Sequence, residues 1–200
     1  MQIDLSIFNP KARPLIGVDI SSSAVKMVEL GDAGKGVRRI ERYAIEPLPR
    51  DAVVDGNIAN FDQVAEGMKR VWKRLGSSTR FAALALPAAA VITKKIVLPA
   101  GMREQEMEVQ VESEASQYIP FALEEVNLDF QVIPPAPSSQ DDVQFLIAAS
   151  RNEKLEDRVA CAEAAELKPL VMDVESFAAQ AAYHLACAQL PSQAQDQIVA

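Results

Sequence analysis

Residues 15–30 read Leu-Ile-Gly-Val-Asp-Ile-Ser-Ser-Ser-Ala-Val-Lys-Met-Val-Glu-Leu, two β-branched, apolar runs parted by three serines. The runs predict antiparallel strands over 15–20 and 24–30, and the serines supply the turn between them. Apolar strands, a hydroxyl-rich turn and two opposite charges converge nowhere else in the chain. One chemical reading is a phosphate cradle. Successive N–H groups in a tight turn form an anion-binding concavity, Asp19 at the strand end can hold Mg²⁺ through water, and Lys26 can reach a phosphate as a point charge. The other reading is an ordinary β-hairpin, because strand, serine turn, strand is a common pattern.

Downstream, residues 31–36 form a glycine-flanked turn, and 37–48 predict a third strand closed by Pro47 and Pro49. A helix follows over 61–75, with Phe61, Val64, Ala65, Met68, Val71, Trp72 and Leu75 on one stripe. Asn60 is its N-cap with Gln63 three residues on, and Gly76 ends it. Lys69, Arg70, Lys73 and Arg74 suit the negative end of the helix dipole; a solvated face explains them better than a binding patch. The continuous apolar run 81–86 predicts a strand buried on both faces, closed by Pro87.

A second, smaller unit begins with a strand over 91–98. Its helix, 103–118, places Met107, Val111, Ala115 and Tyr118 on one face and its glutamates mostly elsewhere. Leu128, Phe130 and Val132, then Val143, Phe145 and Ile147, alternate with polar residues around a proline-rich loop, which predicts an antiparallel hairpin. Ser150 and Glu153 predict a capping box for a helix reaching about residue 166, with Leu155, Val159 and Ala162 inward. Residues 170–174 then predict a strand returning to the first sheet. An alanine-rich helix over 175–190 follows, apolar almost all round and therefore expected to be buried.

Composition narrows the chemistry. An apolar fraction of 49% across 200 residues supports a packed core, and a net charge of -8 argues against a nucleic-acid partner, which calls for a basic stripe. His184 is the only histidine, so a Ser-His-Asp hydrolase or multi-histidine metal enzyme is not expected. Cys161 and Cys187 lack metal-ligand spacing and read as small hydrophobes. No run approaches the ~20 apolar residues of a membrane helix, and no secretory signal pattern opens the chain. Residues 1–13 read as a frayed terminus or a short membrane-touching segment.

Asp19, Ser21 and Lys26, in Gly-Val-Asp-Ile-Ser-Ser-Ser-Ala-Val-Lys, resemble the first phosphate loop of the actin, heat-shock chaperone and sugar-kinase superfamily. Together with Tyr-Ala-Ile-Glu-Pro-Leu-Pro at 43–49 and Tyr-Ile-Pro-Phe-Ala-Leu-Glu-Glu-Val at 118–126, the hairpin resembles the PilM family. That family comprises actin-like, FtsA-related proteins of type IV pilus assembly. The resemblance runs from about residue 14 to the end of the chain. One departure is Ser21, where superfamily members often carry glycine, giving freer backbone approach to phosphate.

The resemblance implies an α/β fold: an actin-like, ribonuclease-H-like subdomain (1A) from 1–88 plus 168–200, with an inserted FtsA-type 1C subdomain at 89–167. The apolar residues 198–200 resemble the start of a second lobe that is then missing from this chain. ATP and Mg²⁺ are the implied ligands, weakly held by one half, with little or no hydrolysis. Asp19, Ser21, Ser22, Ser23, Lys26 and Glu175 are the implied binding residues, Asp19 holding Mg²⁺ through water. Glu175 stands where a related segment opens the inter-lobe helix of the chaperones; it orients the metal or water, or is simply a first-turn acid favoured by the dipole.

The implied partner is the cytoplasmic N-terminal tail of the inner-membrane protein PilN, in a groove between the two subdomains. Tyr118, Ile119 and Phe121 are the candidate contacts, with the small subdomain's own core as the alternative. The expected location is cytoplasmic and peripheral to the inner membrane, in the service of pilus assembly and twitching motility, with self-association left open. A small-molecule kinase of the same superfamily and an FtsA-like division protein are the competing functions.

Overall fold

The computed structural model describes residues 14–34, 37–133 and 142–188. The expectations for residues 1–13, most of the proline-rich loop, 189–190 and 198–200 lie outside the described residues. The described residues divide into two compact units, one drawing on 14–88 and from Asp157 onward, the other on Ala89–Glu156.

The larger unit is a five-stranded sheet. β1 (Ile16–Ile20), β2 (Ala24–Asp32) and β3 (Arg38–Pro47) form an antiparallel meander, and β6 (Phe81–Leu86) joins β1 in parallel. The two-residue strands β4 (Val53–Val54) and β5 (Asn57–Ile58) form a small ribbon before the helix α1 (Phe61–Leu75). β10 (Lys168–Val174) pairs in parallel with β6, giving the order β10-β6-β1-β2-β3.

Strand alternation assigns the two faces. Ile16, Val18 and Ile20 are buried with Val25 and Met27 beneath α1, whose Val64, Met68 and Val71 are fully buried. Burying each such side chain is worth roughly 1.5–3 kcal/mol. The helix ends as the sequence predicts. Asn60 accepts the Gln63 N–H at 3.1 Å, and Gly76 takes a left-handed φ of 64° while its N–H donates to the Trp72 carbonyl. At its start Phe61 departs from the expected stripe, being 42% exposed on the first turn. Trp72 is half-buried, its Nε1–H donating to the Thr79 carbonyl and its ring lying under Arg80.

In the smaller unit β7 (Ile92–Pro99), β9 (Asp142–Arg151) and β8 (Val126–Ile133) form an antiparallel sheet in that order. The helix α2 (Glu104–Ala115) buries Val111 and Ala115 with Ile96, Phe145 and Ile147, and Phe130 meets Phe145 edge-on at 6.0 Å.

Three expectations are corrected. Ser150 does not cap a helix: β9 runs through it to Arg151, paired with β8, and its hydroxyl donates to the Ala90 carbonyl. The helix α3 starts only at Asn152 and ends at Ala164. Phe81–Leu86 is closed on one face only; Ala82, Leu84 and Leu86 are buried, whereas Ala83 and Ala85 are half-buried on the other. Finally, α4 (Glu175–Cys187) has no buried residue. It lies along β10 and β6, and its Ala178 and Ala182 line the cleft over the sheet. His184 is accordingly exposed, beside the Tyr183 ring.

Candidate functional site

The sheet face opposite α1 carries a cleft of about 680 Å³. Its floor is apolar, from Val28, Tyr43, Ile45, Ala83 and Ala85, and α4 forms one wall through Ala178 and Ala182. Gly17 keeps the floor low, since a Cβ there would stand 3.2 Å from a methyl of Val28. Charge gathers around Asp19 and Lys26 from the first hairpin, Asp173 from β10 and Glu175 from the first turn of α4.

Asp19 and Lys26 are direct cross-strand partners in β1 and β2, and Lys26 Nζ donates to Asp19 Oδ2 at 2.7 Å. Both side chains remain about half exposed. Glu175 is half-buried and opens α4 directly after β10, where a carboxylate complements the helix dipole. The structure thus brings Asp19, Lys26 and Glu175 to one cleft. It does not bring the serines there. Ser21 commits both its N–H and its hydroxyl to the Ala24 carbonyl, each at 3.0 Å, closing the turn. Ser22 and Ser23 are exposed at the hairpin tip, outside the cleft lining.

Two residues escape a sequence reading, one lining the cleft and one buried in the interior. Asp173 is hidden in a strand pattern and engages its neighbour's backbone, accepting the Val174 N–H at 2.7 Å. Arg158, on α3, is only 2% exposed and donates from Nη2 to the Gly56 carbonyl at 2.9 Å. Its one sequence signal is position. Arg158 lies three and four residues before Cys161 and Ala162, so it shares their buried stripe.

The donor set suits a hard cation carried with phosphates. Carboxylate oxygens are magnesium ligands, and Mg²⁺ is ordinarily held by one or two of them together with phosphate and water. No trio of His, Cys, Asp or Glu placed to hold a metal by itself occurs among the described residues.

The sequence matches the family described as type IV pilus assembly protein PilM over residues 17–200. The chain belongs to the PilM family. A solved PilM-PilN type IV pilus biogenesis complex is similar at a TM-score of 0.76 and 31% identity, covering 88% of this chain and 52% of that one. The chain therefore spans about half the length of that relative. The cytoplasmic domain of EpsL, an inner-membrane component of the Vibrio cholerae type II secretion system, shares the fold at a TM-score of 0.50 and 12% identity. That match covers 80% of this chain and 57% of the other.

The other residues singled out from the PilM resemblance lie in the smaller unit. After α2, Ile119 donates its N–H to the Ala115 carbonyl and is 5% exposed, a member of that unit's core. Ile119 therefore fastens the helix end and presents no surface to a partner. Tyr118 and Phe121 point outward, 43% and 40% exposed, and each ring carries a cation: Lys94 Nζ lies 4.6 Å from the first and Arg151 Cζ 5.3 Å from the second. No described helix is long and apolar enough to cross a membrane.

Proposed function

We propose that this PilM-family chain is a cytoplasmic assembly module that binds Mg·ATP at the charged end of its cleft and docks the N-terminal tail of a PilN-type inner-membrane protein. The likeness to the PilM-PilN complex carries this reading. In it, the larger unit is the actin-like subdomain 1A and Ala89–Glu156 supplies most of the inserted 1C subdomain. Asp19 and Glu175 hold the magnesium through water, and Lys26 exchanges its carboxylate partner for phosphate. The serine turn acts indirectly, fixing the register that sets Asp19 opposite Lys26.

Phosphate transfer is not part of the proposed role. Lys26 and a magnesium ion offset the phosphate charge of a bound nucleotide, but hydrolysis also requires a held water and a cation on the departing phosphate. Docking is assigned to Tyr118 and Phe121, because exposed aromatic rings whose orientation is held by cations give an apolar peptide rigid contacts. Attachment to the inner membrane then runs through the partner.

Calorimetric titration of the chain with Mg·ATP and, separately, with a synthetic PilN tail tests both halves. The expected outcome is saturable binding of each, with Asp19→Ala losing nucleotide and keeping the tail. Loss of both ligands on that single substitution, or binding of neither by the wild type, overturns the reading.

A further inference from the structure

By strand alternation Lys94 shares a face of β7 with the buried Ile96 and Leu98, and Arg151 shares a face of β9 with the buried Phe145, Ile147 and Ala149. That is the face that packs on α2. Lys94 pairs with Ile147 and Ile92 with Ala149, so both cations stand toward the end of the sheet where β7 begins and β9 finishes. The chain leaving α2 closes over this end: Ile119 anchors it in the core, and Tyr118 and Phe121 lie beside the two cations.

The two cations differ in what answers their charge. Arg151 Nη2 lies 3.2 Å from Glu153 Oε2. Lys94 has the Tyr118 ring, its Nζ 4.6 Å from the centroid, and no carboxylate within ion-pair distance among the described residues. A ring face attracts an ammonium without neutralising it, and it engages only one side of a group that has three donors. The rest is left to water. The surroundings are acidic, α2 carrying glutamates and neither lysine nor arginine, so an unanswered cation beside an exposed aromatic ring sets this patch apart.

We propose that this patch selects a tail whose apolar stretch is flanked by a carboxylate side chain, and that Lys94 is the residue that reads the carboxylate. The inference rests on the docking role of Tyr118 and Phe121 and adds the chemistry that the docked tail carries. Apolar side chains of the tail pack on the exposed parts of the two rings, and the carboxylate replaces water on the Lys94 ammonium. Because Lys94 lies over Tyr118, the acid belongs at the Tyr118 end of the apolar stretch and not within it. Arg151 takes no part in this choice, its charge being met by Glu153.

The test uses the whole chain in an anisotropy titration with two labelled synthetic PilN-type tails. They are identical except that the residues flanking the apolar stretch are Glu in one and Gln in the other. The Glu tail should bind about fivefold more tightly at low salt, which is about 1 kcal/mol and the upper end for an exposed ion pair. At 1 M salt, where charges are screened beyond about 3 Å, the two affinities should converge. Lys94→Met keeps a flexible stem over the ring and removes the charge, so it should bind both tails equally. Lys94→Arg should keep the preference.

Arg151→Met is the control. Glu153 retains Lys154 at 3.2 Å in that variant, so both tails should weaken alike and the preference for Glu should remain. Lys94 and Arg151 are exposed, and circular dichroism should show the fold unchanged in all three variants. Equal affinities for the two tails in the wild type, or a preference that survives Lys94→Met, overturn the proposal and leave the docking role standing. Binding of neither tail by the wild type overturns the docking role itself, and the carboxylate preference falls with it.

Discussion

Lys26 reaches straight across the first hairpin to Asp19, Nζ to Oδ2 at 2.7 Å, with both side chains about half in solvent. An ion pair so exposed contributes at most about 1 kcal/mol to stability. Asp19→Ala should therefore leave the urea midpoint almost unchanged while Mg·ATP affinity falls. Unaltered affinity by calorimetry counts against the magnesium role.

Glu175→Gln separates a ligand role from a helix role. As a first-turn acid, Glu175 is worth about 0.3–1 kcal/mol through the dipole. Loss of that amount alone, with metal-dependent nucleotide binding intact, leaves it a helix residue. The expected result is a loss of magnesium dependence larger than the loss of stability.

For docking, Tyr118→Ala and Phe121→Ser should weaken binding of a fluorescently labelled PilN tail in an anisotropy titration, with an unchanged circular dichroism spectrum. Ile119→Ser should behave differently, melting the smaller unit, because it places a hydroxyl in a 5% exposed core position. Wild-type affinity in both folded aromatic variants moves the docking site elsewhere.

Acid should act through Glu46. Arg70 donates to its carboxylate at 2.7 Å and Arg74 approaches at 2.9 Å; chiefly through the Arg70 bond, its pKa lies below the ordinary 4.5. A depressed carboxyl pKa means that the unfolded chain takes up the proton first as pH falls. The stabilisation is complete above the unfolded value and fades as pH drops toward the folded one. Denaturation midpoints should fall less steeply below pH 4.5 in Glu46→Gln than in the wild type. Equal slopes would remove Glu46 from the acid response.

Cysteine labelling should be one-sided. Burial pushes the Cys161 thiol up to about 11, and its Sγ faces the Phe61 carbonyl, whereas Cys187 is half-buried near the end of α4. Since the thiolate is the nucleophile, a maleimide at neutral pH should modify Cys187 and spare Cys161 until the chain unfolds. Labelling of Cys161 in the native protein is the contrary outcome.

The sequence shows most where local chemistry and packing agree. Helix α1 is legible because Asn60, the apolar stripe and Gly76 mark the same boundaries that the core then enforces. At Ser150 they disagree: the residue has a capping pattern, but the β8 ladder pairs it with Asn127 and holds it in a strand, and the ladder wins. Hydropathy alone also misreads α4, since an alanine-rich helix states what it can be buried against and not whether anything is there. The Asp19–Lys26 half of the site is visible because its residues are seven apart on one hairpin. Asp173 reaches the same cleft only through the return of β10 beside β6, which no short window records, and Glu175 is named in the sequence only through the resemblance of its segment.

The outermost strand β3 is ten residues long, and its Ile40 and Tyr43 are 61% and 73% exposed. Such an edge ordinarily templates further strands. Here Arg74, from the last turn of α1, donates to the Ile45 carbonyl at 2.7 Å, so an incoming strand must first displace a guanidinium. The basic end of α1 is thus an edge guard as well as a dipole match. Losing that one contact, as in Arg74→Ala, would free the β3 edge without touching the core, so such a variant should associate through its sheet while still folded.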